Sequence, residues 1–186
     1  MTKRQSFLSD ASISVLRLLL GVQVFTIFAP NLDAAGSHLA AWKFSFLIRK
    51  DFFVNVSCEW SETPRFLNDS WLITFSESSD PIGIAKNASG ALTAPCTISM
   101  YKAEPIEKIE IFEYHDDADG ELDESVHYDK AIVFRCGRDG RSFCICCMLN
   151  GPGIATDLHF SEDPVVIEEM VSGSKVRLVL EDQRTT

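Results

Sequence analysis

The chain has 186 residues, 46% of them hydrophobic and 24% charged, with 17 Lys and Arg against 27 Asp and Glu for a net charge of −10. That length and apolar fraction, with 13 Phe and 3 Trp to bury, fit a single globular domain over 1–186 and exclude a chain too polar to collapse. The acidic balance removes the usual electrostatic grip on a phosphate backbone, so no nucleic-acid partner is expected.

Lys3, Arg4 and Arg17 precede the apolar stretch Leu18–Ala29, in the outline of a secretory signal. Asp10 falls in the basic part, however, and Gln23 and Thr26 interrupt the apolar one. Before Pro30 and Asp33 the run is shorter than the roughly 20 residues a membrane span needs. The expectation is a cytoplasmic chain with reduced cysteines and no membrane contact, in which the glycosylation-like triplets at Asn55, Asn68 and Asn87 are chance matches. Ser9 or Asp10 caps a helix predicted over 10–20 and closed by Gly21, with Ile13, Leu16 and Leu20 on one side. A strand follows from Val22 to Ile27, and Pro30 ends it.

From Trp42 to Trp60 two alternating runs flank Arg49-Lys50-Asp51. A hairpin must put both apolar sets on one face, and a three-residue loop does so by pairing Ile48 with Phe52, Phe46 with Val54, Phe44 with Val56 and Trp42 with Cys58. Asp51 tolerates the left-handed conformation that such a loop asks for. The opposite face, with Lys43, Ser45, Leu47, Phe53, Asn55, Ser57 and Glu59, suits either an interface or a second layer laid over the sheet. A strand is expected at Trp71–Phe75, and then the Ser-, Gly- and Pro-rich stretch 77–95 reads as a linker.

Further strands are expected near Cys96 to Tyr101 and from Ile106 to Tyr114, followed by the acidic run His115 to Glu124 read as a loop. Asp139-Gly140 is a two-residue turn signal that pairs Cys136 with Phe143, Phe134 with Ile145 and Ile132 with Cys147. The reverse face then carries Val133, Arg135, Cys144 and Cys146 and is expected to be half-buried. After a break at Gly151-Pro152-Gly153, a strand spans Ile154 to Phe160, Asp163-Pro164 starts a helix near 164–172 that Gly173 closes, and Val176, Leu178 and Leu180 alternate as the last strand. The fold class is α+β, a mainly antiparallel sheet with two short helices. The order of strand, loop and hairpin repeats between 20–76 and 105–181, which suggests two similar halves of a diverged duplication.

Chemical motifs are thin. Cys144 and Cys146 share one strand face while Cys136 and Cys147 share the other, so the four clustered cysteines do not converge on a zinc ion, and His127 lies roughly 20 Å along the strand from Val133 at about 3.3 Å per residue. They are read as small hydrophobes. Setting Gly120 at the sixth place of a calcium loop puts His115 first and Val126 last, where carboxylates belong, so no calcium site is expected. No nucleophile elbow or phosphate-binding loop occurs, and Ser172-Gly173-Ser174-Lys175 is explained by helix capping. No cofactor or metal is expected, nor an enzyme; were there one, His127, Asp129 and Cys144 would be the residues to test.

What stands out is Asp116, Asp117, Asp119, Glu121, Asp123 and Glu124, because without those six the chain keeps 21 acidic against 17 basic residues, a net of −4. One short run carries most of the charge and suits steering toward a basic protein surface. In organisation, an acidic α+β chain of strand hairpins with a charged loop resembles the small bacterial immunity proteins of toxin systems and neighbouring families of unknown function. That resemblance implies tight binding and neutralisation of a partner toxin, with those six carboxylates contributing, and carries over no individual family residue. The expectation is a non-enzymatic protein-binding module. Two alternatives stand beside it: a small-ligand or catalytic site between the halves, and a structural subunit that self-associates through a sheet edge.

Overall fold

The computed structural model describes residues 2–35, 37–61, 70–100, 102–117, 124–137, 141–148 and 157–181. In chain order they form β1 (Thr2–Ser6), α1 (Asp10–Arg17), β2 (Thr26–Ala29), β3 (Asp33–Ala35), β4 (His38–Ala41), β5 (Lys43–Arg49), β6 (Phe52–Ser61) and β7 (Ser70–Ser78). There follow β8 (Cys96–Ser99), β9 (Ile106–Asp117), β10 (Glu124–Cys136), β11 (Arg141–Met148), β12 (Asp157–Ser161), α2 (Pro164–Val171) and β13 (Ser174–Glu181). The fold is mostly antiparallel sheet with two short helices. One sheet has the order β13-β9-β10-β11-β12-β4-β3, with β1 lying parallel to the start of β10, and the other the order β7-β6-β5-β2-β8. Each contains a four-strand antiparallel run in the same neighbour order, β2-β5-β6-β7 in one and β9-β10-β11-β12 in the other.

Ser9 caps α1 by accepting a bond from the Ser12 amide, and Leu16 and Leu19 are buried beneath it. The helix stops at Arg17 rather than near residue 20 because Leu20 and Gly21 turn toward β9: Gly21, at φ +77°, donates its N–H to the Ile106 carbonyl. The same contact delays the next strand. Val22 accepts from Ile106 N–H and Gln23 bridges Pro105, so ordered pairing in β2 begins only at Thr26 and ends before Pro30.

In the β5–β6 hairpin Phe44 pairs with Val56 and Phe46 with Val54, as the alternation requires. The end differs from the expected loop: Ile48 is an extra residue in β5, Arg49 pairs with Phe52, and only Lys50 and Asp51 turn, Asp51 at φ +54°. Trp42 lies outside the strand, where the chain leaves β4 in one sheet and enters β5 in the other, so it does not pair with Cys58. Phe46 packs against Phe134 and Phe143 at ring distances of 5.7 and 6.0 Å, and Phe143 reaches Phe160 at 5.8 Å, which joins the two sheets through one aromatic core.

The stretch 77–95 is not a spacer. Its first two residues finish β7, and the rest folds back over the polar face of the first hairpin. Ile82 donates its N–H to Ser45 Oγ (2.9 Å) and to Asn55 Oδ1 (3.2 Å), Asn55 Nδ2 donates to the Asp80 carbonyl, and Lys86 pairs with Asp80. Ser45, Phe53 and Asn55 are buried as a result, so the chain itself supplies the second layer over that strip.

The second hairpin corrects the expected register. Phe134 pairs with Phe143, Ile132 with Ile145 and Cys136 with Arg141, two residues away from the pairing that a turn at Asp139-Gly140 alone imposes. That dipeptide lies outside the described residues. Gly137 begins the connection at φ +60°, and a side chain there would strike the Glu104 carboxylate. On the reverse face Cys144, Cys146, Ala131 and Val133 are fully buried because α2 lays Val166, Ile167 and Met170 over them, and only Arg135, its side chain 40% exposed, keeps the expected half-buried character. Asp163 caps that helix, accepting the Val165 N–H at 2.9 Å, and Gly173 closes it at φ +72°. The strand expected from Ile154 is seen from Asp157, its earlier residues and the 151–153 break lying outside the described ones. In β13 Arg177 is an extra residue between Val176 and Leu178. Among the described residues no helix is long and apolar enough to cross a membrane.

Candidate functional site at the β9–β10 hairpin

The acidic run is not a plain loop. Asp116 and Asp117 are the last residues of β9, Glu124 is the first of β10, and Asp117 and Asp116 pair with Ser125 and Val126. Asp119, Glu121 and Asp123 lie outside the described residues. Two long paired strands therefore carry the run at their common end.

The ladder continues below it with His115 opposite His127, Tyr114 opposite Tyr128 and Glu113 opposite Asp129. Residues directly opposed across a ladder share a face, and residues two apart on a strand share it too. That geometry brings Glu113, His115 and His127 together, their ligand-capable atoms all within 4.8 Å of one another. Glu113 Oε1 lies 3.2 Å from His127 Nδ1 and 3.4 Å from His115 Nδ1, and the two imidazole centroids are 3.4 Å apart. His127 is almost fully buried, its side chain 5% exposed, while that of His115 is 33% exposed and so opens the cluster to solvent. In the sequence His115 stands only at the start of the charged run. Extending the alternation of Val126, Tyr128 and Ile132 backward through His127 was the available signal.

His127, Asp129 and Cys144 do not assemble into a catalytic group. Asp129 is buried and accepts both Nε–H and Nη2–H bonds from Arg177, at 2.7 and 2.6 Å, and a third from the Leu8 amide at 2.7 Å. Cys144 lies under α2, where burial above all pushes its thiol well up from the usual value. Burial likewise pushes the Cys136 and Cys146 thiols up to about 12 and that of Cys147 well above its ordinary value. A protonated thiol is a poor nucleophile and a poor metal ligand. The division of cysteines between faces holds, with Cys136 and Cys147 in the inter-sheet core and Cys144 and Cys146 beneath α2. Arg135 reaches across to Glu110 (2.8 Å) and Ser142 (3.0 Å).

A second histidine pair lies elsewhere. His38, in β4, and His159, in β12, have ring centroids 4.7 Å apart. Burial, helped by His38, lowers His159 to about 4. His38 also lines a groove of about 330 Å³ with Ser37, Leu39, Phe160, Ser161 and Asp163.

Compared with protein-family models, with curated proteins and with solved structures, the chain finds no match in any of the three.

Proposed function

We propose that the chain is a non-enzymatic protein-binding module that contacts a basic partner surface through the acidic end of the β9–β10 hairpin. The observation that carries this reading is the placement of Asp116 and Asp117 at the end of one strand and Glu124 at the start of its partner, which brings both ends of the run 116–124 to the same end of one ladder. Charge held at one point steers diffusional encounter and raises association rates by 10- to 1,000-fold at low salt in favourable cases. The engagement of Asp129 by Arg177 and the protonation of the buried thiols support a binding role over a hydrolytic one. An immunity-type protein that neutralises a toxin is the specific form proposed. The shared neighbour order of the two four-strand runs supports reading 20–76 and 105–181 as diverged copies, and an experimental structure in which the runs failed to superpose would remove that part.

The test uses the full chain as bait in its native source beside a variant with Asp116, Asp117, Asp119 and Asp123 changed to Asn and Glu121 and Glu124 to Gln. Association of the captured partner is then timed at low and moderate salt. The variant should associate about tenfold more slowly, with a flatter salt dependence. Equal on-rates for the two baits would overturn the reading.

A further inference from the structure

We propose that Glu113, His115 and His127 form a binding site for one divalent transition-metal ion of the zinc class. The inference does not depend on the protein-binding reading. Two imidazoles and one carboxylate on one ladder face offer three ligand atoms within 4.8 Å, a spread that a single ion with bonds of about 2 Å can span. The scaffold is rigid where it matters, since His115 and His127 oppose each other directly across the β9–β10 ladder and Glu113 lies one strand repeat from His115.

The donor set fixes the class of ion. Calcium and magnesium want six or more oxygens, whereas two imidazole nitrogens with one carboxylate suit zinc and its first-row neighbours. Three protein ligands leave a position for water or for a group brought by a partner, and the exposed edge of His115 gives access to it. The surrounding charge acts in the same direction, because the adjoining acidic run raises the local concentration of cations. The rival arrangement is purely internal, with Glu113 Oε1 accepting N–H bonds from both rings. In that case the cluster is a buried His–Glu pair that has no use for an ion.

Full-length protein stripped with a chelator is titrated with zinc chloride by calorimetry, and cobalt is added in parallel to read coordination from its visible absorption. One ion per chain is expected, with cobalt bands of four- or five-coordinate intensity. His115→Ala and Glu113→Gln should each weaken binding by at least about tenfold while leaving the circular dichroism unchanged. His127 is left intact, because truncating a buried ring would cost stability. A third variant with Asp119 and Asp123 changed to Asn and Glu121 to Gln should keep the single site. Binding that disappears in this third variant and survives in His115→Ala would show an adventitious ion on the acidic run, and an absence of saturable binding would establish the internal His–Glu pair. Either result overturns the proposal.

Discussion

Asp129 shows how much one buried carboxylate can organise. It ties the segment that follows β1 to β10 through the Leu8 amide and β13 to β10 through Arg177, so a single side chain links three stretches of chain that are distant in sequence. Removing one partner of a buried, hydrogen-bonded pair strands the other charge. Asp129→Ala should therefore cost roughly 3–5 kcal/mol in urea unfolding, and Arg177→Met added to it should recover part of that loss. Equal destabilisation by the single and the double variant would show that the guanidinium is not what Asp129 serves. His159 gives a pH prediction at the same scale. Its folded value near 4 lies below the unfolded 6.5, so between those limits the unfolded chain takes up a proton that the folded chain does not. Stability should be unaffected by this group above pH 6.5 and should fall as pH drops toward 4. His159→Phe should flatten the loss of urea midpoint over that window, and an undiminished slope would place the titration elsewhere.

The hairpins show which parts of an element its sequence specifies. Phe44 and Phe46 must share a face with Val54 and Val56, and any one-residue slip would break that, so the body of the first hairpin was legible and only its two ends, with Ile48 as the extra residue and Trp42 outside the strand, were not. In the second hairpin a slip of two residues leaves Phe134, Phe143, Ile145 and Cys147 on the same face, so hydrophobic pattern cannot choose between registers and the Asp-Gly signal chose the wrong one. The cysteine faces survive that error because they depend on parity alone. β1, with the sequence TKRQS, and β4, with HLAA, carry no apolar alternation and are held by neighbouring strands, which sequence does not display. The Glu113, His115 and His127 cluster was hidden for a related reason, since His127 and His115 meet only once β9 and β10 are extended up to the acidic run. One contact between elements is open to direct test. The Sγ atoms of Cys58 on β6 and Cys147 on β11 are 2.8 Å apart, spanning the two sheets. Diamide should oxidise this pair to one internal disulfide, the two thiols giving up their hydrogens to the reagent, and slowly, because burial keeps the Cys147 thiol protonated. Mass spectrometry of the oxidised chain should show one cross-link that Cys58→Ser abolishes, with a gain of about 2–4 kcal/mol in stability. A cross-link formed equally well without Cys58 would mean that other thiols react.

At the scale of the molecule the question is what the concentration of charge costs. The chain holds a net −10, and without the six carboxylates of the acidic run it would hold −4, so one short run carries most of its net charge. The two ends of that run lie at the end of β9 and the start of β10, ten residues along β10 from Phe134 of the aromatic core that joins the two sheets. Exposed charges are screened over about 10 Å at 0.1 M salt and about 3 Å at 1 M, so repulsion among neighbouring carboxylates should fade across that range. Sodium chloride should then raise the urea midpoint of the natural chain more than that of the variant neutralised at all six positions. The variant should also begin from the higher midpoint at low salt. Chloride is preferred to sulfate for the titration, since sulfate strengthens burial in any protein and would mask the difference. If both chains respond alike, the acidic run is already balanced by nearby cations, and its charge cannot act at a distance on a partner. Such a result would weaken the steering argument from the side of stability, without any partner in hand.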